Sequence, residues 1–376
     1  MDRIILERTF HPMGQGAFYS EIFKIYHELW SHESFCVVYD CGSSGNKTQA
    51  SKVVKWFEPK EIDILFISHF DEDHVNLISE LKKGRRIKKV VIPLLDSDIE
   101  YMIAFYKTIG NKNAAKILEN PQQFFNQKTE IVYIQPTRSS RNYDKVNKEY
   151  IHWESQKSGS KIELDKLWKK FWSYIPYNYD FENRNRELKT LLENEGIDIH
   201  HLPDNPTMKR NIKVIYKQVK WNINENSMLV VSTPADTNIK YWKALMLHPR
   251  TFESCYFNYN YYYCCYDHYY NIAGCIYTGD ANLNKIEEEF YSKMNEINKV
   301  GTIQVAHHGS KKDFNIDFFN KLWSPRTVCP ISYGLTNSYW HPASNVVNEL
   351  RSNGHYPVEV TEDGISGLIQ IHEWYI

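Results

Sequence analysis

Four side chains able to bind a cation, His69, Asp71, Asp73 and His74, fall within the stretch Ser68-His69-Phe70-Asp71-Glu72-Asp73-His74. They follow directly on Ile62-Asp63-Ile64-Leu65-Phe66-Ile67, an apolar run of strand length. A buried strand that ends in such a group delivers it to a sheet edge, where open α/β sheets place their sites. His74 then opens a stretch with helical periodicity (Val75, Ile78, Leu81), so the predicted order is strand, turn, helix. Imidazoles and carboxylates suit a first-row or hard divalent ion, and a pair of each favours two ions sharing the cluster. The plain alternative is a solvated turn whose aspartates cap the helix, although capping needs one Asp and no His.

A chain of 376 residues, 42% hydrophobic and 24% charged, can bury a large core as one elaborated domain or two. A formal charge of −1 gives no bulk attraction to nucleic acid or an anionic membrane, so local patches must carry any such binding. The seven cysteines (36, 41, 255, 264, 265, 275, 329) are odd in number and hold no C-x-x-C, which argues against a disulfide framework or a zinc knuckle. Charge interrupts Met1–Arg8 too early for a secretory signal, and no apolar run approaches the about 18 residues of a membrane span. The expectation is a cytoplasmic protein with no membrane attachment.

Strands and helices alternate through 1–95: a strand over 35–40, a helix over 48–57, a strand over 62–67, a helix over 74–83 and a strand over 89–93. From 96 to 220 the segments 98–108, 112–119, 161–172 and 185–195 look helical, so this stretch is expected to be a mostly helical insertion. Regular α/β structure resumes with strands at 227–231 and 274–277, separated by a loop over 233–271. A helix over 282–298, a strand over 301–305, a helix near 315–322, a strand over 326–331, a helix over 343–353 and two closing strands complete the chain. The core is therefore predicted to comprise 1–95 and 221–376.

Three strand ends carry metal-type residues: 69–74, Asp280 in Thr278-Gly279-Asp280, and His307-His308-Gly309-Ser310. Such residues on distant strands at one sheet edge signal a site more strongly than one motif alone. With Gly14-Gln15-Gly16-Ala17, Asp40-Cys41-Gly42, Asn224-Glu225-Asn226-Ser227 and His341-Pro342 they give a chain that resembles a metallo-β-lactamase-fold hydrolase. The likeness is to the branch formed by the hydrolase domain of the ComEC DNA-uptake proteins and its soluble relatives. That branch carries His-x-Asp-x-Asp-His where most of the superfamily has His-x-His-x-Asp-His. The departures are Ala17 for an Asp, and Asn76-Leu77 where glycines usually follow the His cluster.

The resemblance implies an αββα four-layer sandwich, an α/β fold with two divalent metal ions, zinc or manganese, at one edge. It implies that His69 and Asp71 hold one ion and Asp73 and His74 the other, that Asp280 bridges them, and that one of His307 or His308 completes the second site; His307, which comes first off the strand, is the expected ligand. His308 would then orient a ligand or touch substrate. Asp40 would hydrogen-bond a ligand imidazole, the alternative being a turn-forming Asp before Gly. His341 would donate a proton to the leaving oxygen or contact a phosphate, unless it is structural. His152, His200, His201 and His268 fall outside the matched motifs, although many relatives use a further His for which His200 or His201 would serve. The runs Lys82–Lys89 and Lys209–Lys220 are the basic candidates for a phosphate backbone, and the tyrosines of 256–270 for base stacking.

The function expected is a two-metal phosphodiesterase or nuclease using a metal-bridging hydroxide, with a bacterial defence effector as one setting. Its partners would be nucleic acid or another phosphodiester, and a protein partner through 96–220. Two alternatives stand beside it: a small-ester, lactone or thioester hydrolase of the same fold, and a non-catalytic module using the metal site structurally.

Overall fold

The structure, a computed structural model, describes residues 3–27, 32–95, 99–137, 154–179, 190–194, 227–235, 241–247, 273–294, 297–322 and 326–375. The strands in the first half of the chain are β1 (Arg3–Phe10), β2 (Tyr19–Tyr26), β3 (His32–Tyr39), β4 (Glu61–Phe66), β5 (Arg86–Pro93), β6 (Glu130–Gln135), β7 (Glu154–Lys157) and β8 (Trp172–Tyr177). Those in the second half are β9 (Leu229–Pro234), β10 (Tyr241–Leu247), β11 (Gly274–Tyr277), β12 (Val300–Ile303), β13 (Val328–Ser332), β14 (Tyr356–Val360) and β15 (Leu368–Tyr375). The helices are α1 (Lys47–Trp56), α2 (Glu72–Val75), α3 (Ile78–Leu81), α4 (Ile99–Ile109), α5 (Lys112–Glu119), α6 (Pro121–Phe125), α7 (Leu283–Lys293), α8 (Ile316–Asn320) and α9 (Ser344–Ser352).

Among the described residues the strands form a nine-stranded sheet, β10-β15-β1-β2-β3-β4-β5-β6-β7, and a six-stranded sheet, β14-β13-β12-β11-β9-β8. In the first, β3 through β7 run parallel; in the second, β11 through β14 do. Parallel strands need crossovers, and these supply the helices that cover the outer faces. Side chains alternate across each strand accordingly. Phe35, Val37 and Tyr39 of β3 point into the core between the sheets with Trp172, Tyr174, Val230 and Tyr277. Cys36 and Val38 pack outward against α1, α3, α4 and α5. On the far side Val231, Ile276 and Ile331 meet α7, α8 and α9. Three separate apolar cores between four layers are the expected αββα sandwich.

Helix starts are set locally. The Asn46 side chain accepts from the Gln49 amide to open α1, and Asn111 accepts from the Ala114 amide to open α5. The helix expected over 74–83 is instead two short ones, because 76–77 bond sideways. The Leu77 amide donates to the Cys41 carbonyl, and the Asn76 side chain bonds both the amide and the carbonyl of Ser43. Asn76 and Leu77, where relatives carry glycines, thus bind the turn after β3.

The described residues within 96–220 differ from the expected, mostly helical insertion. Helices α4 and α5 lie where the periodicity puts them, but β6 and β7 extend one sheet and β8 the other. Over 161–172 the structure has a single 3-10 turn, Trp168–Lys170. The apolar residues there, Ile162, Leu164, Trp168 and Trp172, are spaced for a helix but are drawn into the core between the sheets. Likewise β10 runs through the stretch expected to be loop, paired with β15. The expected helix 185–195 lies largely outside the described residues.

One ion pair sits at the centre of the sandwich. Arg8 and Glu21 are essentially inaccessible, with Arg8 Nε 2.7 Å from Glu21 Oε1. Glu21 also accepts from the hydroxyls of Tyr174, Ser232 and Tyr277, and Arg8 donates to the Gln370 side chain and the Ala273 carbonyl. A buried pair is tolerated only when its remaining donors and acceptors are met in this way. Glu21→Leu, which strands the guanidinium, is expected to lower unfolding stability by about 3–5 kcal/mol in urea titration, and Arg8→Met/Glu21→Leu by less than that. A single variant as stable as the parent would show that the pair contributes nothing.

Candidate metal centre

The site lies where both sheets end. Asp40 follows β3, His69 follows β4, Asp280 follows β11 and His307-His308 follow β12, all at the C-terminal ends of parallel strands. The sheets are joined beside it: the Met228 amide donates to the Ser68 carbonyl and the Tyr39 hydroxyl to the Met228 carbonyl, each at 2.8 Å.

The turn bearing Asp71, Asp73 and His74 is braced from behind. The Ala17 amide donates to the Asp73 carbonyl and the Asn111 side chain to the Phe70 carbonyl. At Gly42 a Cβ would stand 2.5 Å from the Asp73 carbonyl carbon, and at Gly16 one would stand 2.3 Å from the Gly42 oxygen. Only glycine allows these backbones to touch. That is the physical content of the Gly14-Gln15-Gly16 and Asp40-Cys41-Gly42 segments. Four non-glycine residues among those described have left-handed φ: Asp40, His307, His308 and Trp340, at 56°, 47°, 55° and 60°. All belong to the site or its adjoining loop, where strained backbone collects in proteins.

Each histidine is oriented through Nδ1. His74 Nδ1 lies 2.8 Å from Asp40 Oδ2, and His308 Nδ1 donates to the Ser332 carbonyl at 2.7 Å. His307 Nδ1 is 2.7 Å from Asp313 Oδ2. His69 Nδ1 is 2.9 Å from Ser68 Oγ, whose own proton goes to Asp40 at 2.6 Å, and 3.0 Å from Ser227 Oγ. With Nδ1 committed, every ring turns Nε2 inward, the arrangement that fixes the tautomer of metal-binding imidazoles. The Nε2 atoms of His69, His74 and His308 are buried and have no well-formed hydrogen bond among the described residues.

Asp280 divides these rings into two sets. Its Oδ1 is 3.2 Å from His74 Nε2 and 3.9 Å from His308 Nε2, and its Oδ2 is 3.9 Å from His69 Nε2 and 3.8 Å from His307 Nε2. Asp73 Oδ2 joins the first set, 3.4 Å from His308 Nε2. Two triads have ligand atoms close enough to hold an ion, His69–His74–Asp280 and Asp73–His74–His308. The nearby charges oppose burial. Burial disfavours the imidazolium of His74, yet Asp280 and Asp40 hold its pKa well above the ordinary value. His307 is pushed up to about 9 against burial by Asp280 and Asp313. Burial would raise the Asp280 carboxyl, but His74, His307 and His308 hold it well below its usual range. His69 is pushed well down by burial and by His74.

Of the residues marked in the sequence, His69, Asp73, His74, Asp280, His307 and His308 converge. His308, rather than His307, stands with Asp73 and His74; His307 faces the Oδ2 side. Coming first off the strand does not decide the matter, because the left-handed turn at 307–308 reverses the chain. Asp71 joins neither triad, and its Oδ1 accepts from the Tyr106 hydroxyl at 3.3 Å. Asp40 hydrogen-bonds a cluster imidazole, as the resemblance implies. His341 lies alongside, its Nδ1 3.0 Å from the His307 carbonyl and its pKa lowered by burial.

Supporting residues given no role of their own in the sequence are Ser68, Ser227, Gln304 and Asp313. Gln304 accepts from the Thr278 and Gly279 amides and so fixes the turn before Asp280. Ser227 also accepts from the Asp280 amide. The one sign of Asp313 in the sequence is a carboxylate six residues after His307. The basic run Lys82–Lys89 is spent elsewhere, at the N-terminal ends of β4 and β5. Arg85 donates to the carbonyls of Val54, Phe57, Pro59 and Leu81, Lys88 pairs with Glu61 and Asp63, and Lys89 with Glu130. Lys209–Lys220, the tyrosines of 256–270, Asn224–Asn226, His152, His200, His201 and His268 lie outside the described residues. No helix among the described residues is long and apolar enough to cross a membrane.

Residues 29–107 match the family model described as Metallo-beta-lactamase superfamily. No curated protein matches the sequence. Among solved structures the chain is similar to a long form RNase Z from yeast, at 12% identity and TM-score 0.30, over 87% of this chain and 36% of that one. It is also similar to a diphosphatase from the PhnP family, at 9% identity and TM-score 0.37, over 100% of this chain and 99% of that one. The chain therefore spans 36% of the length of that RNase Z. The matched segment carries Asp40, His69, Asp73 and His74, while Asp280, His307 and His308 lie beyond it, and two packed sheets flanked by helices give the chain an α/β sandwich of the metallo-β-lactamase type.

Proposed function

We propose that the protein is a metal-dependent phosphodiesterase, acting on nucleic acid. The observation that carries the metal reading is the convergence of imidazole Nε2 atoms and two carboxylates on one point, with every Nδ1 committed elsewhere. A lone pair buried without a partner is costly, and a divalent cation is the group that satisfies several at once. Asp73, His74 and His308 with Asp280 Oδ1 would hold one ion, and His69 and His307 with Asp280 Oδ2 the other. Two such ions would supply Lewis acidity, which lowers the pKa of bound water and offsets negative charge on phosphoryl oxygens. Preference for a phosphodiester rests on the ComEC-like order of Asp71 and Asp73 within the turn. Four imidazoles beside the carboxylates of Asp73 and Asp280 leave zinc and manganese both as candidates.

The chain's own residues then have defined work. Asp40 keeps the His74 proton on Nδ1, so that Nε2 stays available, and Asp313 does the same for His307. Ser68 and Ser227 fix His69. His341 donates Nδ1–H to the His307 carbonyl, which leaves its Nε2 as the polar atom turned to a bound substrate. Asp71 and Tyr106 border the same turn.

Labelled single- and double-stranded DNA and RNA, incubated with manganese or zinc, should be cleaved. Asp73→Ala and Asp280→Asn should each lower the rate by at least about a thousandfold. Unchanged cleavage in either variant would end this reading, and esterase or lactonase turnover without phosphodiester cleavage would transfer it to small esters. By metal analysis His308→Ala should lose about one equivalent of ion while retaining its fold by circular dichroism. Asp40→Asn should lower metal affinity about 10–100-fold, read by competition with a chelating dye. Affinity in the parent protein should weaken as pH falls, since protons compete for the same Nε2 atoms.

A further inference from the structure

Seven large apolar side chains are substantially exposed among the described residues, and three of them share one loop beside the site. Leu335, Tyr339 and Trp340 are 55%, 69% and 88% exposed, on the connection between β13 and α9 that also carries His341. Tryptophan is ordinarily well buried, and a bulky residue at φ 60° is an outlier. The loop is nevertheless held firmly. The Asn337 side chain accepts from the Tyr339 and His341 amides, at 3.1 and 3.0 Å, and donates to the Gly334 and His341 carbonyls, at 2.6 and 2.7 Å. The Leu335 amide is taken up by the Glu362 carboxylate. The rings are therefore presented by a fixed scaffold.

They are also continuous with the cluster. The His341 ring lies 5.6 Å from that of His307 and 6.5 Å from that of His308, and Tyr339 meets His341 edge-on at 5.8 Å. An aromatic margin thus runs outward from the cluster through His341 and Tyr339 to Trp340.

We infer that Trp340, with Tyr339, is a stacking platform for an unpaired nucleobase next to the scissile phosphate, so that the substrate is a single-stranded polynucleotide. This rests on the phosphodiesterase reading above. An acyl chain or small apolar ester needs a concave pocket that encloses it. Tyr339 and Trp340 stand open at a rim, which suits a planar base that stacks on one ring face. Bases in a duplex have their faces covered, so the platform selects against paired strands.

The test compares a labelled single-stranded oligonucleotide with an abasic strand of equal length, which keeps the phosphates and removes the rings. Fluorescence anisotropy on the full chain measures binding of each without any need for turnover. The parent protein should prefer the base-bearing strand by about tenfold, Trp340→Ala should bring that ratio to about twofold or less, and Trp340→Phe should restore most of it. Equal binding of both strands by the parent, or an unchanged ratio in Trp340→Ala, overturns the platform. An equal loss of binding to a labelled duplex in Trp340→Ala overturns the single-strand selectivity. Cleavage measured in parallel with manganese keeps the two readings apart. Base preference without cleavage leaves the platform and removes the phosphodiesterase, whereas cleavage without base preference does the reverse.

Discussion

Asp280 is 1% exposed at the mouth between two sheets, and a carboxylate can stay ionised there only if positive charge or strong donors surround it. Four imidazole Nε2 atoms lie within 3.2–3.9 Å of its two oxygens, drawn from β4's end on one sheet and β12's end on the other. The sheets must therefore meet at this edge in one register. The Met228–Ser68 and Tyr39–Met228 hydrogen bonds enforce that register, and the packing of Tyr19, Tyr39 and Tyr277 against one another lies directly beneath it. The fold and the site are in this sense one constraint.

The loops pay for this placement in backbone conformation. Asp40, His307 and His308 all sit at left-handed φ, which non-glycine residues avoid by about a kcal/mol or more each. Each is held there by bonds that do a second job. Asp40 is fixed by Ser68 and in turn fixes His74. His308 is fixed by Ser332, which also accepts from Tyr19 across the core. The Gly309–Pro342 contact, with the Ala343 amide on the Gly309 carbonyl, ties the histidine turn to the loop that presents Trp340. A rigid site and a rigid margin follow from the same few bonds.

Much of this was legible in the sequence, because the signals were local. A strand that ends in His-x-Asp-x-Asp-His, a Thr-Gly-Asp turn and a His pair announce a strand-end site from spacing alone. So do the well-capped helices α1 and α5. What was not legible depends on partners far along the chain. The strands β6 to β8 were hidden because their companion segments carry strong helical periodicity, and Trp168 and Trp172 keep that spacing while serving the core. Which side of Asp280 each of His307 and His308 faces turns on two backbone angles that no residue type announces. Asp71 reads as a ligand by motif, but Tyr106, on a helix beyond the next strand, holds its carboxylate. The basic run 82–89 reads as a phosphate grip until β4 and β5 place it at the opposite end of the strands.

The two buried carboxylates show how a structural site and a functional one differ in the same molecule. Glu21, midway through the sandwich, meets a guanidinium and three hydroxyls, all of them donors, and its network is closed. Asp280, at the rim, meets rings whose donor nitrogens are committed to Asp40, Asp313, Ser68 and the Ser332 carbonyl. What those rings turn toward Asp280 is lone pairs, the wrong polarity for a carboxylate unless protons or metal ions lie between. A closed network gains nothing from a ligand. An arrangement of acceptors facing acceptors has its free-energy minimum only with cations in place, and that asymmetry, more than the burial of either group, sets the rim apart from the core.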